Sequence, residues 1–196
     1  MIAYIDGKLT HKDPTYVIID VGGVGYQIKV SLNTYSSLPA SERCKLHTFL
    51  HIKEDAHTLY GFTTAAEKDL FLLLISISGV GPNTGLMILS SLSVEEVQQA
   101  ILREDVRTIQ HVKGIGAKTA QRIILELKDK VRKEALLSDA AAPAAAHNTN
   151  RAEALSALVT LGFAKNVAEK TLDSIVKREG GTLSVEELIK FALKSS

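Results

Sequence analysis

An α+β multidomain architecture follows from three features of the amino-acid sequence. Strand-like alternation is confined to residues 1–63, helical periodicity runs from there onward, and an alanine-rich stretch of low complexity occupies 134–150. The chain divides accordingly into a small β-barrel (1–63), a helical domain (64–133), a flexible linker (134–150) and a three-helix module (151–196).

The barrel is read from short apolar runs bounded by turn residues. Tyr16–Val21 and Tyr26–Val30 flank a glycine-rich turn, and Cys44–Ile52 and Thr58–Phe62 flank the polar turn that carries Glu54 and Asp55, as in a hairpin. Several short strands with glycine turns make a small barrel. Helical spacing then predicts Ala65–Ile77, Gly85–Leu89, Val94–Arg103, Val106–His111 and Lys118–Arg132, with a Ser93/Glu96 capping box fixing one start. Residues 134–150 hold a proline and no apolar period, which predicts a linker. Beyond it, Arg151–Leu161, Val167–Lys177 and Val185–Lys194 make three short helices, the last opened by a Ser184/Glu187 capping box.

With 196 residues and 45% apolar content the chain can bury a core. Its longest apolar run, Leu70–Ile77, falls far short of the roughly 20 residues that span a bilayer, and the N-terminal residues lack a signal-peptide plan. The expectation is a cytoplasmic protein with no membrane partner. A lone Cys44 excludes an internal disulfide and a cysteine-only metal site. The net charge of +1 gives no electrostatic signature of a nucleic-acid binder, so any such role must rest on how charge is distributed.

The strongest signal is an internal repeat. Ser78–Leu89 aligns without gaps on Lys113–Ile124, at an offset of 114 − 79 = 35 residues, with Gly79-Val80-Gly81 matching Gly114-Ile115-Gly116. Two glycines let the chain turn tightly and let its backbone approach a ligand. The helix that follows begins with unpaired N–H groups and a partial positive charge, so a phosphate can rest there without any base being read. Asn83 and Thr84 in the first copy, and Lys118, Thr119 and Arg122 in the second, are placed to add phosphate contacts. A single copy would equally be a packing turn between helices, and a repeat could serve as a scaffold. A nucleotide-binding P-loop is excluded, because Ala117 stands where that motif needs glycine immediately before Lys118.

The glycine-rich Val21–Tyr26 segment, Glu54-Asp55-Ala56 leading into Leu59–Phe62, the two glycine hairpins and the helical tail together resemble the RuvA family, the Holliday-junction-binding subunits of the bacterial branch-migration complex. The resemblance covers the whole chain and is tightest over 50–127. It implies an OB-fold barrel, a tandem helix-hairpin-helix domain and a mobile three-helix, UBA-like domain. It further implies a homotetramer, or an octamer of two tetramers, that holds four-way DNA open and flat for recombination and repair. Under it Gly79, Gly81, Gly114, Gly116 and Lys118 are phosphate contacts, with Arg122 an addition, and Glu54 and Asp55 form an acidic pin at the junction centre. Four such pairs would repel phosphates and steer separated strands into new duplexes. From the residues alone, the same pair reads as a solvated hairpin tip. One departure is visible: Asn83 stands where a basic residue is expected, which weakens the first hairpin.

The resemblance also implies a RuvB-type hexameric ATPase bound by the C-terminal helices, a junction resolvase as a further partner, and no catalytic residue, cofactor or metal in this chain. Leu161, Phe163, Leu172 and Leu188 are the apolar positions from which the motor contact would be drawn, although a module this small needs most of its apolar set for its own core. Two alternatives stay open here: a structure-specific nuclease using Glu54 and Asp55, and a protein-interaction scaffold with no DNA role.

Overall fold

A computed structural model describes residues 1–40, 42–139, 146–179 and 183–194. Five strands, β1 (Tyr4–Lys12), β2 (Tyr16–Val21), β3 (Val24–Val30), β4 (Arg43–Ile52) and β5 (His57–Phe62), close a barrel in the order β1-β2-β3-β5-β4. Neighbours are antiparallel except β3 and β5, whose parallel pairing of Ile28 with Leu59 and Val30 with Gly61 completes the ring. Alternation sends Ile5, Leu9, Val17, Ile19, Ile28 and Leu46 inward, all buried. This is the expected N-terminal barrel. β1 and the short helix α1 (Leu32–Ser37) had no separate sequence signal. α1 exists because of what surrounds it: Ser31 caps it, and the Asn33 amide donates to the carbonyls of Leu89 (2.7 Å) and Leu92 (3.1 Å).

Five helices follow within the same compact unit, Met1–Glu134: α2 (Ala65–Ile75), α3 (Pro82–Ser91), α4 (Val94–Leu102), α5 (Val106–Gln110) and the start of α6 (Ala117–Asp139). α3 begins at Pro82, earlier than the expected Gly85, since proline suits the first helical position. Aromatic packing joins barrel to helices, with Phe71 of α2 centred 4.8 Å from Phe62 and 5.4 Å from Tyr60. A polar clasp reinforces it. The Glu67 carboxylate, 6% exposed, accepts from the Ser31 and Thr34 hydroxyls (2.9 and 2.7 Å) and from the Thr63 backbone N–H (3.1 Å).

The second unit, Ala135–Ser196, contains α7 (Ala146–Thr160), α8 (Lys165–Glu179) and α9 (Val185–Lys194) around a core of Ala154, Leu158, Ala168, Leu172, Ile175, Leu188 and Ala192. Arg151 pairs with Asp173 across α7 and α8. The stretch expected to be a linker is helical at both ends, where α6 runs to Asp139 and α7 begins at Ala146, and its middle, 140–145, lies outside the described residues. Glu134, Ala135, Leu136 and Leu137 are all good helix formers, so α6 continues where the low-complexity reading expected it to have ended. Leu172 (0% exposed) and Leu188 (2%) are interior and unavailable to a partner in this packing, a correction to their reading as motor contacts. A three-helix unit has so little interior that its most regularly spaced leucines fill it.

Candidate nucleic-acid interface

The two glycine hairpins have one backbone design. In each, the first glycine lies in the left-handed region, Gly79 at φ +92° and Gly114 at φ +88°. The central apolar residue is buried and its N–H closes the turn, Val80 to the Ile77 carbonyl at 3.0 Å and Ile115 to the Val112 carbonyl at 3.1 Å. The second glycine then accepts the first helical bond, from Gly85 to Gly81 at 2.9 Å and from Ala120 to Gly116 at 3.0 Å. The aligned sequences thus make the same turn, with the same hydrogen bonds and a buried apolar peg in each.

Gly81 and Gly116 are the informative positions. Neither requires glycine for its backbone: Gly81 sits at φ −86°, and Gly116 is not among the positive-φ residues. Neither requires it for space, because a Cβ added at either, or at Gly79 or Gly114, would meet nothing within 4 Å. The fold leaves an open surface beside four bare backbone segments. The helix ends agree. Thr64, Ser93 and Asp105 cap α2, α4 and α5 with side-chain oxygens, whereas α3 opens on Gly81 with no side-chain cap. Pro82 has no N–H to donate, so the Asn83 and Thr84 amides are the ones left without a side-chain cap and open to an external acceptor.

Around these turns, Lys118 is exposed and makes no ion pair or hydrogen bond among the described residues; Thr84 and Thr119 are half-buried and Asn83 is exposed. Arg122 is more engaged than the sequence suggested: its Nε donates to Glu126 at 2.7 Å and its Nη1 reaches the Ser78 carbonyl at 3.5 Å, tying α6 to the first hairpin. Lys113, passed over in the sequence, is a further exposed cation next to Gly114. Its signal was its place just before the repeat's first glycine. Behind the second hairpin, Lys128 holds the Glu104 carboxyl below its ordinary pKa by hydrogen bond and charge, and the Thr108 hydroxyl does the same for Asp105 by hydrogen bonding. The Lys128–Glu104 pair ties the α4–α5 turn to α6, and the Asp105–Thr108 bond caps α5.

Glu54 and Asp55 stand exposed at the bend between β4 and β5, closed by a hydrogen bond from the Lys53 N–H to the Ala56 carbonyl at 2.9 Å. His51 packs among Phe49 and Tyr60, and His57 is exposed opposite Ile52. Among the described residues no three His, Cys, Asp or Glu side chains gather as a metal would need, and none of the described helices is long and apolar enough to cross a membrane. In the second unit Leu161 is 60% exposed and Phe163 half-buried; Val167 is exposed too, and Val159 and Leu193 are exposed apolar residues that the sequence reading did not single out.

Comparison with known proteins places this geometry. Residues 1–61 match the RuvA N terminal domain, residues 71–129 the SAM-like Helix-hairpin-helix tandem, and residues 149–196 the RuvA, C-terminal domain. Over its full length and theirs, the chain is 60% identical to the Holliday junction branch migration complex subunit RuvA of Cytophaga hutchinsonii. It is 52% identical to the protein of that name from Christiangramia forsetii, over 99% of each, and 46% identical to that from Geotalea daltonii, over 99% of this chain and 98% of the relative. With RuvA models matching both ends of the chain and whole-length identity of this degree, the chain belongs to the RuvA family.

Proposed function

We propose that the chain is the non-catalytic junction-binding subunit of a branch-migration complex. It grips four-way DNA through the phosphate backbone, without reading sequence, and hands the work of ATP hydrolysis to a RuvB-type motor. The observation that carries the reading is the open space at Gly81 and Gly116, where glycine answers neither to backbone conformation nor to internal packing. A ligand that must come within contact distance of the main chain accounts for it. Paired hairpins offer amides and Lys118 to phosphates, which gives affinity without base preference and a steep dependence on salt.

In the same reading the barrel and its paired glycine hairpins, 1–133, handle DNA, and the helices of 151–196 engage the motor through Leu161, Phe163 and their exposed apolar neighbours. Assembly is a homotetramer in the cytoplasm, one or two copies to a junction, with Glu54 and Asp55 of each subunit at the crossover and a resolvase able to join. Four acidic tips near the strand exchange point would push phosphates apart and keep the arms from stacking. The nuclease alternative gains nothing from the relatives' names.

Fluorescence anisotropy with four-way and linear DNA tests the proposal. The chain should prefer the four-way form whatever its sequence. Gly81→Asn with Gly116→Asn should lower affinity at least tenfold while the melting temperature holds, since asparagine caps helices well but fills the space a phosphate needs. Equal affinity for both DNA forms, or undiminished binding by the double variant, would remove the proposal's basis.

A further inference from the structure

The first hairpin lacks the lysine of the second, Asn83 occupying in α3 the place that Lys118 holds in α6. Beside Asn83, a groove of about 420 Å³ separates α3 from the barrel. Asn83 and Met87 line its helical wall, and Tyr16, Gln27 and Lys29 its barrel wall. The strand pattern dictates that wall: Ile28 and Val30 are buried inside the barrel, so Gln27 and Lys29 on alternate positions must face outward. Pairing of Tyr16 with Lys29 across β2 and β3 sets the phenol ring beside the lysine.

Charge in the groove is one-sided. Lys29 is exposed, no Asp or Glu lines the groove, and among the described residues the Lys29 ammonium makes no ion pair or hydrogen bond. Arg43 is engaged with Asp6 at 2.8 Å, Lys45 lies over the Tyr4 ring and Lys12 donates to the Leu38 carbonyl at 2.6 Å, and of the barrel lysines only Lys29 lines this groove. Burying nothing and neutralising nothing within the fold, Lys29 is available to an anion that runs along α3 past its N-terminus.

We propose that Lys29 supplies the phosphate contact that Asn83 cannot, so that the first DNA grip is assembled from two parts of the chain: the backbone amides of Gly79 and Gly81 and a lysine of the barrel. The inference rests on the junction-binding reading above and extends it to a residue outside the helical repeat. Its ligand is the phosphodiester backbone of the duplex arm held by that hairpin. A lysine suits the role, because a compact ammonium on a flexible stem needs no fixed fork geometry to meet a phosphate across a groove. Tyr16, Gln27 and Asn83 can donate to neighbouring phosphate oxygens without adding charge.

The test uses the full chain and a four-way junction, with affinity followed by anisotropy across a salt series. Lys29→Gln should reduce the slope of log affinity against log salt by about 1. It should weaken binding to the same degree for different sequences and leave the melting temperature unchanged. Lys29→Arg should keep the slope, and Asn83→Lys added to Lys29→Gln should restore it. A wild-type slope for Lys29→Gln, in an experiment where Lys118→Ala lowers it, would overturn the inference while leaving the junction reading intact. Failure of Asn83→Lys to restore the slope would also count against it. If neither Lys118→Ala nor Gly116→Asn changes binding, the junction reading itself is wrong and this inference goes with it.

Discussion

Gly114 and Gly116 are two residues apart and are glycine for different reasons. At Gly114 the backbone is left-handed, φ +88°, so Gly114→Ala should cost about 1–2 kcal/mol of stability through strain alone. The same method, thermal denaturation of wild type and variant, should show almost no loss for Gly116→Asn, whose harm would fall on DNA binding. Sequence alone could not separate the two roles, because Gly-x-Gly is the same string whether a turn or a ligand demands it. Conformation at the first glycine and empty space at the second make the difference. Arg122 illustrates the converse: a basic residue in the right place by alignment is partly committed to Glu126 and to the Ser78 carbonyl.

The strongest tie between elements is the one centred on Glu67. Four donors from α1, its cap and the β5–α2 connection converge on one buried carboxylate, and no buried side-chain polar atom among the described residues lacks a partner. Glu67→Ala leaves those groups without their acceptor and should destabilise Met1–Glu134 by about 3 kcal/mol, measured by chemical denaturation. None of this was legible in the sequence, since Glu67 reads as an ordinary first-turn acid after Thr64. What was legible followed from local pattern: alternation gave β2–β5, capping boxes gave the starts of α4 and α9, and the repeat located both hairpins. What escaped was set by tertiary partners, as in α1, held by Asn33 on the end of α3, or by intrinsic propensity overriding a low-complexity reading, as in the Glu134–Leu137 run that prolongs α6. The hairpin tip belongs at this scale too. Glu54→Gln with Asp55→Asn should leave junction affinity intact or raise it while altering the rate of branch migration, and a large loss of affinity would contradict a repulsive tip.

At the scale of the whole molecule, the chain is two compact units, Met1–Glu134 and Ala135–Ser196, and the proposed labour divides between them. Removing 151–196 should spare junction binding, assayed by anisotropy, and abolish stimulation of the motor, assayed by ATP-driven strand displacement; retained stimulation would refute the role given to the tail. Near-neutral net charge also gains meaning at this scale. A chain that held DNA by bulk attraction would be strongly basic, whereas this one has a net charge of +1 and, in the proposed reading, relies on particular exposed cations beside the hairpins, Lys113 and Lys118. Finally, because Asn33, Glu67 and the Phe62–Phe71 contact lock the barrel to the helices that carry the grips, the interval between grip and acidic tip is a built-in gauge. In the proposed reading, DNA drawn through such a body would be parted at a fixed distance from where it is held, so the length of duplex opened would be metered by the protein's dimensions and stay constant whatever bases pass.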